Sequence, residues 1–332
     1  MHSASEESLI LVTGASGHIG SELCRMLRTT RHKILAVDLC PGPSPDVIAC
    51  DLRLKNDVSR LFQAHPVRAV IHLAGILPSA FRSDPLTGAE VNLNGSVELI
   101  WQAVSARVKR FIFASSIGVY GSFPTTPLTE SDPAVPDEPY GGSKRAVELL
   151  GETIAKEGAF EFVSLRIARV IGPGVKKTSS PWRSQIFEPP LGMDPIRIPF
   201  APEAKLSLVH VQDVARMLVR LVDAVEIGSL VYNTPVEIWE ARQLKEVIEE
   251  AIAVRVELGR SGVHGGPTCD GNRFAREFRF QLRGLRDRLS DIQVRRLRWR
   301  QRIRPKRRPV RHLLDSLRKR GRCPCKHQPA SR

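Results

Sequence analysis

Three glycines do most to limit what this chain can fold into. Thr13-Gly-Ala-Ser-Gly-His-Ile-Gly20 stands directly after the wholly apolar run Leu9–Val12. It opens a stretch, Ile19–Leu27, in which Ile19, Leu23, Met26 and Leu27 share one helical face. A strand, a glycine turn and a helix in that order carry a specific physical meaning. Gly14 lets the chain turn sharply after the strand, Gly17 lets backbone approach a pyrophosphate, and Gly20 lets the helix pack closely on a sheet. The helix start, with His18 and Ile19, offers free N–H groups and a positive dipole end to phosphates. The segment is therefore expected to hold a dinucleotide.

The residues that follow extend this reading. Lys33–Asp38, Val47–Asp51, Arg68–Leu73, Arg110–Ser115 and Phe162–Ile167 read as strands, with helices expected near 57–64, 93–104 and 140–156. Strands that are apolar throughout and separated by helices predict a doubly wound parallel sheet of the Rossmann type. Asp38 ends the second strand, where a carboxylate accepts from both adenine-ribose hydroxyls and repels a 2′-phosphate, so NAD is expected over NADP. Asp51 and Leu52 follow the third strand and are expected to border the adenine. Beyond Arg169 Pro and Gly become frequent. Val209–Val222 and Ala241–Ala253 read as helices, and Leu230–Asn233 and Arg255–Leu258 as strands. The expected organisation is a cofactor-binding domain over 8–170, a substrate-binding region over 171–290 interleaved with the last sheet elements, and a tail over 291–332.

Charge isolates that tail. The chain carries 50 Lys and Arg against 35 Asp and Glu, a net of +15. Residues 291–332 hold 16 of the bases and two of the acids, which leaves 34 and 33 for residues 1–290. The domain is nearly neutral, and any nucleic-acid partner is confined to the Arg-rich tail. Trp299 is the one aromatic there, a poor basis for base stacking. A hydrophobic fraction of 42% suffices for a real core. The polar start Met1–Ser8 lacks the features of a secretion signal, no apolar run is long enough to span a bilayer, and the six cysteines lack framework spacing. A cytoplasmic protein is expected, with no membrane and no metal site. Cys323-Pro-Cys325 is too little to define a metal site.

The chemistry is expected at Tyr140-Gly-Gly-Ser-Lys144, which places Tyr and Lys four apart on one helical face. An ammonium beside a tyrosine favours the phenolate and is expected to lower its pKa, making Tyr140 an acid and base near neutrality. Lys144 is also placed to hold the nicotinamide ribose, and Ser116, at the end of the fifth strand, to bond the substrate oxygen.

With these pieces in hand, residues 9 to about 258 resemble the extended short-chain dehydrogenase/reductases, the NAD-dependent epimerase/dehydratase family. The resemblance is carried by Thr13–Gly20, Asp38, His72-Leu-Ala-Gly75, Val91-Asn-Leu-Asn-Gly95, Ser115–Gly121, Tyr140–Lys144, Leu165–Pro173 and Leu208–Val214. It implies a sheet of about seven strands, catalytic roles for Ser116, Tyr140 and Lys144, cofactor contacts from Leu73, Ala74 and Gly75, and support from Asn92. It also implies a homodimer through a helix bundle that includes the Tyr140 helix.

Two departures bear on substrate. Arg169 stands where nucleotide-sugar members commonly carry a substrate-contacting Asn, and Leu206 where they often carry an Arg. Lys176–Glu203 looks more like members that oxidise small sugar acids. Arg169 and Arg183 are the candidates to clamp a carboxylate, whereas His210 reads as a structural histidine. The leading expectation is hydride transfer between NAD and a secondary alcohol of a sugar or sugar-derived acid. The alternatives are a nucleotide-sugar epimerase with retained NAD, and a non-catalytic dinucleotide-binding or nucleic-acid-associated protein.

Overall fold

The computed structural model describes residues 8–42, 44–121, 127–157, 160–174, 180–189, 194–260 and 262–292. The chain divides into two compact units, residues 1–292 and 293–332. The second unit, and with it nearly all of the basic tail including Cys323 and Cys325, lies outside the described residues.

The first half alternates strand and helix. Strands β1 (Leu9–Thr13), β2 (Ile34–Asp38), β3 (Val47–Ala49), β4 (Val67–His72), β5 (Arg110–Ser116) and β6 (Glu161–Ile167) are joined through α1 (His18–Leu27), α2 (Lys55–Ala64), α3 (Pro78–Ser83), α4 (Pro85–Ala89), α5 (Ser96–Ser105) and α6 (Pro139–Glu157). The second half holds β7 (Arg169–Ile171), α7 (Trp182–Gln185), β8 (Ile196–Ile198), β9 (Lys205–His210), α8 (Val211–Asp223), β10 (Val231–Asn233), β11 (Glu237–Glu240), α9 (Ala241–Ile252), β12 (Val256–Leu258) and α10 (Asn272–Glu277). Seven strands form one sheet in the order β10-β6-β5-β4-β1-β2-β3, every neighbouring pair parallel. This is the Rossmann-type sheet the sequence led us to expect.

Alternation along β1 explains why both faces are covered. Ile10 and Val12 face a core made with Leu23 and Leu27 of α1 and Val214, Met217, Leu218 and Leu221 of α8. Leu11 faces the opposite core, with Val37, Leu99, Phe111, Phe113 and Phe162. The strand order reverses between β1 and β4, and a crevice at the carboxyl ends of such strands is where open α/β sheets bind ligands.

The second half builds two smaller sheets, β11-β9-β7 and β12-β8, over a third core with Trp182, Ile196, Leu208, Leu244 and Ile248. Here the helix expected over Val209–Val222 needs correction. Lys205–His210 is a strand, with Val209 paired to Val170, and the helix begins at Val211. The helix starts there because His210 Nδ1 accepts the Gln212 N–H at 3.1 Å. Among the described residues, no helix is long and apolar enough to cross a membrane, and no group of three or more His, Cys, Asp or Glu is placed to hold a metal ion.

Candidate active site

The glycine loop closes tightly on the next crossover. Gly14 has φ +67°, and a side chain there would meet Ala74 N at 2.7 Å. A side chain at Gly20 would collide with the Gly14 carbonyl oxygen. No side chain caps the start of α1, so nothing competes for the helix N–H groups at His18 and Ile19. His18 also ties this loop to the second half, its Nε2 donating to Pro173 O at 3.0 Å. Asp38 accepts the Ser16 N–H at 3.0 Å on one oxygen and the Cys40 N–H at 2.9 Å on the other. Its carboxylate is thus held beside the loop with lone pairs left for hydroxyls. The Asp51 carboxylate is engaged by Arg53, whose Nη2 lies 2.6 Å away, and that hydrogen-bonded pairing lowers the Asp51 pKa. The adjoining Leu52 is buried and, with Arg53, Glu90, Asn94 and Glu98, lines an open cavity of about 410 Å³.

Beneath the loop runs a buried chain of hydrogen bonds that inspection of the sequence missed. Ser96 Oγ donates to Asn92 O at 2.7 Å, so it accepts from His72 Nε2 at 2.8 Å. His72 Nδ1 then accepts from Thr13 Oγ1 at 2.7 Å, which in turn accepts the Ala74 N–H at 3.3 Å. Complete burial pushes the His72 pKa down to about 3, and the imidazole stays neutral. The partners lie 59 and 24 residues from His72, so no local pattern announces them. Leu73 N donates to Thr13 O at 3.2 Å, completing the seam. Asn92 sits in a π-helical turn, Glu90–Gly95, between α4 and α5. Its amide clamps the backbone after Gly75: Ile76 N–H donates to Oδ1 at 2.7 Å, and Nδ2 donates to Ile76 O at 2.9 Å.

Ser116, Tyr140 and Lys144 come together at the end of β5. Ser116 Oγ accepts the Gly118 N–H at 3.1 Å and is hydrogen-bonded to the Tyr140 side chain. Lys144 Nζ donates to Ala114 O at 2.8 Å and lies 4.6 Å from the Phe113 ring centroid and 5.8 Å from that of Tyr140. A side chain at Gly141 would collide with Gly118 O, so glycine there lets α6 reach the Ser116 turn. One electrostatic expectation is overturned. Burial pushes the Tyr140 hydroxyl up to about 12, against the pull of the Ser116 hydrogen bond and with the push of Glu138. Lys144 falls to about 8, again because burial disfavours its charge, with Glu148 opposing. Loss of solvent is the largest cause of both shifts.

Arg169 and Arg183 are also brought together, both half-buried. The Arg169 guanidinium lies 4.5 Å over the Phe200 ring, and Nη1 donates to Gly265 O at 3.1 Å. Burial, and then repulsion from Arg183, push Arg169 down to about 10. Burial also lowers Arg183. By contrast Leu206 is fully buried in the third core, and Lys205 beside it is exposed. His210 is the capping residue described above, its pKa pushed down to about 3 by burial and by Arg288, His18 and Arg283.

Comparison with known proteins agrees with this geometry. The model of the NAD dependent epimerase/dehydratase family matches residues 10–233. A UDP-glucose 4-epimerase of Yersinia pestis is 37% identical over 157 residues, 42% of this chain and 46% of that protein. The chain spans about half the length of the first curated relatives it matches. Among solved structures, MoeE5 in complex with UDP-glucuronic acid and NAD superposes with a TM-score of 0.75 at 28% identity, covering 87% of this chain and 100% of that one. L-threonine dehydrogenase from Phytophthora infestans reaches a TM-score of 0.79 at 21% identity, over 88% and 100%, and shares the fold.

Proposed function

The chain belongs to the NAD dependent epimerase/dehydratase family, an NAD-dependent enzyme family of the extended short-chain dehydrogenase/reductase type, and from that premise we propose that it oxidises a secondary alcohol of an anionic sugar-type substrate, a sugar acid foremost. The observation that carries the choice of substrate is the pair Arg169 and Arg183. Arg183 repels Arg169 and burial disfavours the charge of both, which supports a site for a carboxylate or phosphate beside them.

The residues present fit NAD. Uncapped N–H groups at the start of α1 suit its pyrophosphate, and the Asp38 carboxylate suits a ribose with both hydroxyls free. Bound NAD supplies a hydride acceptor at nicotinamide C4 and, when oxidised, a positive charge that favours a phenolate nearby. In this reading Ser116 holds the substrate hydroxyl and Tyr140 Oη takes its proton as the C–H bond breaks. Lys144 holds the nicotinamide ribose, steadied by Ala114 O, and its ammonium helps Tyr140 to ionise. In the reverse direction protonated Tyr140 donates to the carbonyl oxygen. Leu73, Ala74 and Gly75 line the cofactor, and Asn92 keeps that strand end in place.

The second reading, a nucleotide-sugar epimerase with retained NAD, is supported by the relatives named UDP-glucose 4-epimerase. It uses the same three catalytic residues and returns the hydride to the other face. The four described thiols, none in a disulfide, support a cytoplasmic location. Trp101 on α5, 59% exposed, and Leu149 and Leu150 on α6, 49% and 42% exposed, support a homodimer through these helices.

The deciding experiment is a substrate screen followed at the NADH absorbance, comparing aldonates and uronates with UDP-sugars. NADH accumulating with a sugar acid supports the proposal. Turnover of a UDP-sugar without added NAD and without NADH accumulation replaces it with the epimerase. Tyr140→Phe is expected to lower kcat/KM by about a thousandfold while NADH still binds. Full activity in that variant would overturn both enzymatic readings.

A further inference from the structure

Glu148 lies on α6 one turn beyond Lys144 and is fully buried. Its carboxylate takes four hydrogen bonds. Oε1 accepts from Ser115 Oγ at 2.6 Å and from Arg166 Nε at 2.9 Å. Oε2 accepts from Arg166 Nη2 at 2.8 Å and from Arg145 Nη1 at 2.9 Å. Arg166, on β6 and 3% exposed, uses its remaining nitrogen to donate to the Tyr120 hydroxyl at 2.9 Å. That hydroxyl lies 2.8 Å from Asn233 Oδ1 on β10.

Each end of this cluster abuts a catalytic residue. Ser115 precedes Ser116 on β5. Tyr120 ends the 3-10 turn Ile117–Tyr120, which Ser116 caps. Glu148 follows Lys144 by four residues, on the same helical face. One buried ion pair therefore joins the strand that carries Ser116, the turn behind it and the helix that carries Tyr140 and Lys144. A buried pair persists at such depth only when its remaining hydrogen-bonding capacity is met, as it is here.

We propose that Glu148 and Arg166 are positioning residues for the reaction: they fix α6 against β5 so that Tyr140 meets Ser116, and the Glu148 carboxylate keeps the Lys144 ammonium charged. The inference rests on the roles proposed above for Tyr140 and Lys144. The groups facing Lys144 are few. β5 presents the Ala114 carbonyl and the Phe113 ring. α6 presents Tyr140 and Glu148. From β4 and the loop after it come His72, which is neutral, and Gly75 with Asn92 Oδ1 close by. Arg145 and Arg166 lie beyond Glu148, and Glu152 is 3.8 Å beyond Arg145. The charge that opposes the burial of Lys144 is that of Glu148.

The roles of the two partners in tuning Lys144 have opposite signs, and that separates the proposal from a plain structural brace. Glu148→Gln keeps the shape, removes the negative charge and leaves Arg166 positive. Lys144 then loses its proton at lower pH. Arg166→Gln leaves the carboxylate to Ser115 and Arg145, and Lys144 keeps its proton to higher pH. NADH binding to the full chain, read by its fluorescence through the alkaline range, is the probe, with turnover of whichever substrate the screen yields. The alkaline limb is expected to move down by about one pH unit in Glu148→Gln and up in Arg166→Gln. Turnover is expected to fall about tenfold in both. Limbs that stay put, or move the same way while Tm drops, overturn the proposal. Should a single variant fail to fold, the double variant Glu148→Gln/Arg166→Gln replaces it. Its limb must lie below that of the wild type, and an unmoved limb overturns the proposal. An inactive Tyr140→Phe beside unmoved limbs overturns this inference alone, whereas a fully active Tyr140→Phe overturns the reading beneath it.

Discussion

The two sides of the crevice are finished to different degrees. On the cofactor side the polar side chains already have their partners, and the N–H groups at the start of α1 are left open. Asp38 is tied to the Ser16 and Cys40 N–H groups, His72 is bonded at both ring nitrogens, and Gly14 presses against Ala74. On the side proposed to take the substrate, Arg183 repels Arg169 and burial disfavours the charge of both. A surface shaped for one unvarying ligand can be completed without it. A surface proposed to recognise an anion gathers like charges, and these repel one another until an anion arrives.

The contrast can be broken most forcefully on the substrate side. Replacing both arginines, Arg169→Gln with Arg183→Gln, is expected to raise KM for a sugar acid by about a hundredfold or more. NADH affinity should stay unchanged in a binding titration. A loss of NADH binding would mean the two sides are not separable. Next in size is Gly20→Ala. Its side chain would strike the Gly14 carbonyl, and overpacking of this kind costs about 1–3 kcal/mol. Chemical denaturation and an NADH titration should both report the loss. Gly142→Ala, where a side chain within α6 meets open space, should instead raise stability by about 0.5–1 kcal/mol.

Acid should weaken the fold at two histidines, His72 beneath the glycine loop and His210 at the start of α8. His72 and His210 are held neutral, each with a pKa pushed from 6.5 to about 3. Below pH 6.5 the unfolded chain binds protons that the folded chain refuses, so stability falls as pH drops from about 6.5 toward 3. The slope should approach about 1.4 kcal/mol per pH unit for each histidine. Urea midpoints measured through that window check it, and a flat profile would mean the imidazoles titrate normally. The smallest expected change is Asp38→Asn, which should narrow the preference for NAD over NADP by about tenfold without altering kcat. Relative affinities for NADH and NADPH measure it.

The same division governs what could be read from residues alone. The glycine loop, Asp38 and the Ser116, Tyr140 and Lys144 set were legible because each is a short pattern tied to a chain direction. His72 was not, since its partners Thr13 and Ser96 come from distant segments and only the folded sheet brings them near. The strand Lys205–His210 was partly read as helix because the apolar spacing of Val209–Val222 runs straight across the boundary, and a capping histidine leaves no conventional sign. The Tyr140 pKa was misjudged for a related reason: neighbours can be read from spacing, but loss of solvent cannot. Arg169 was singled out by its departure from a family pattern, and its stacking on Phe200, 31 residues away, emerged only in three dimensions.

The π-helical turn at Glu90–Gly95 makes this segment sensitive to residue count. From Pro85 to Ser105 the chain runs as nearly continuous helix, with one wider turn in the middle. A wider turn holds about one residue more than an α-helical turn of the same rise. Deleting a single residue there would let the segment relax into ordinary helix and gain local stability. It would also rotate everything upstream by about 100° relative to everything downstream. Asn92 can meet Ile76 while Ser96 meets His72 only at the present length. A shortened helix of this kind would therefore be the sturdier helix and the poorer enzyme.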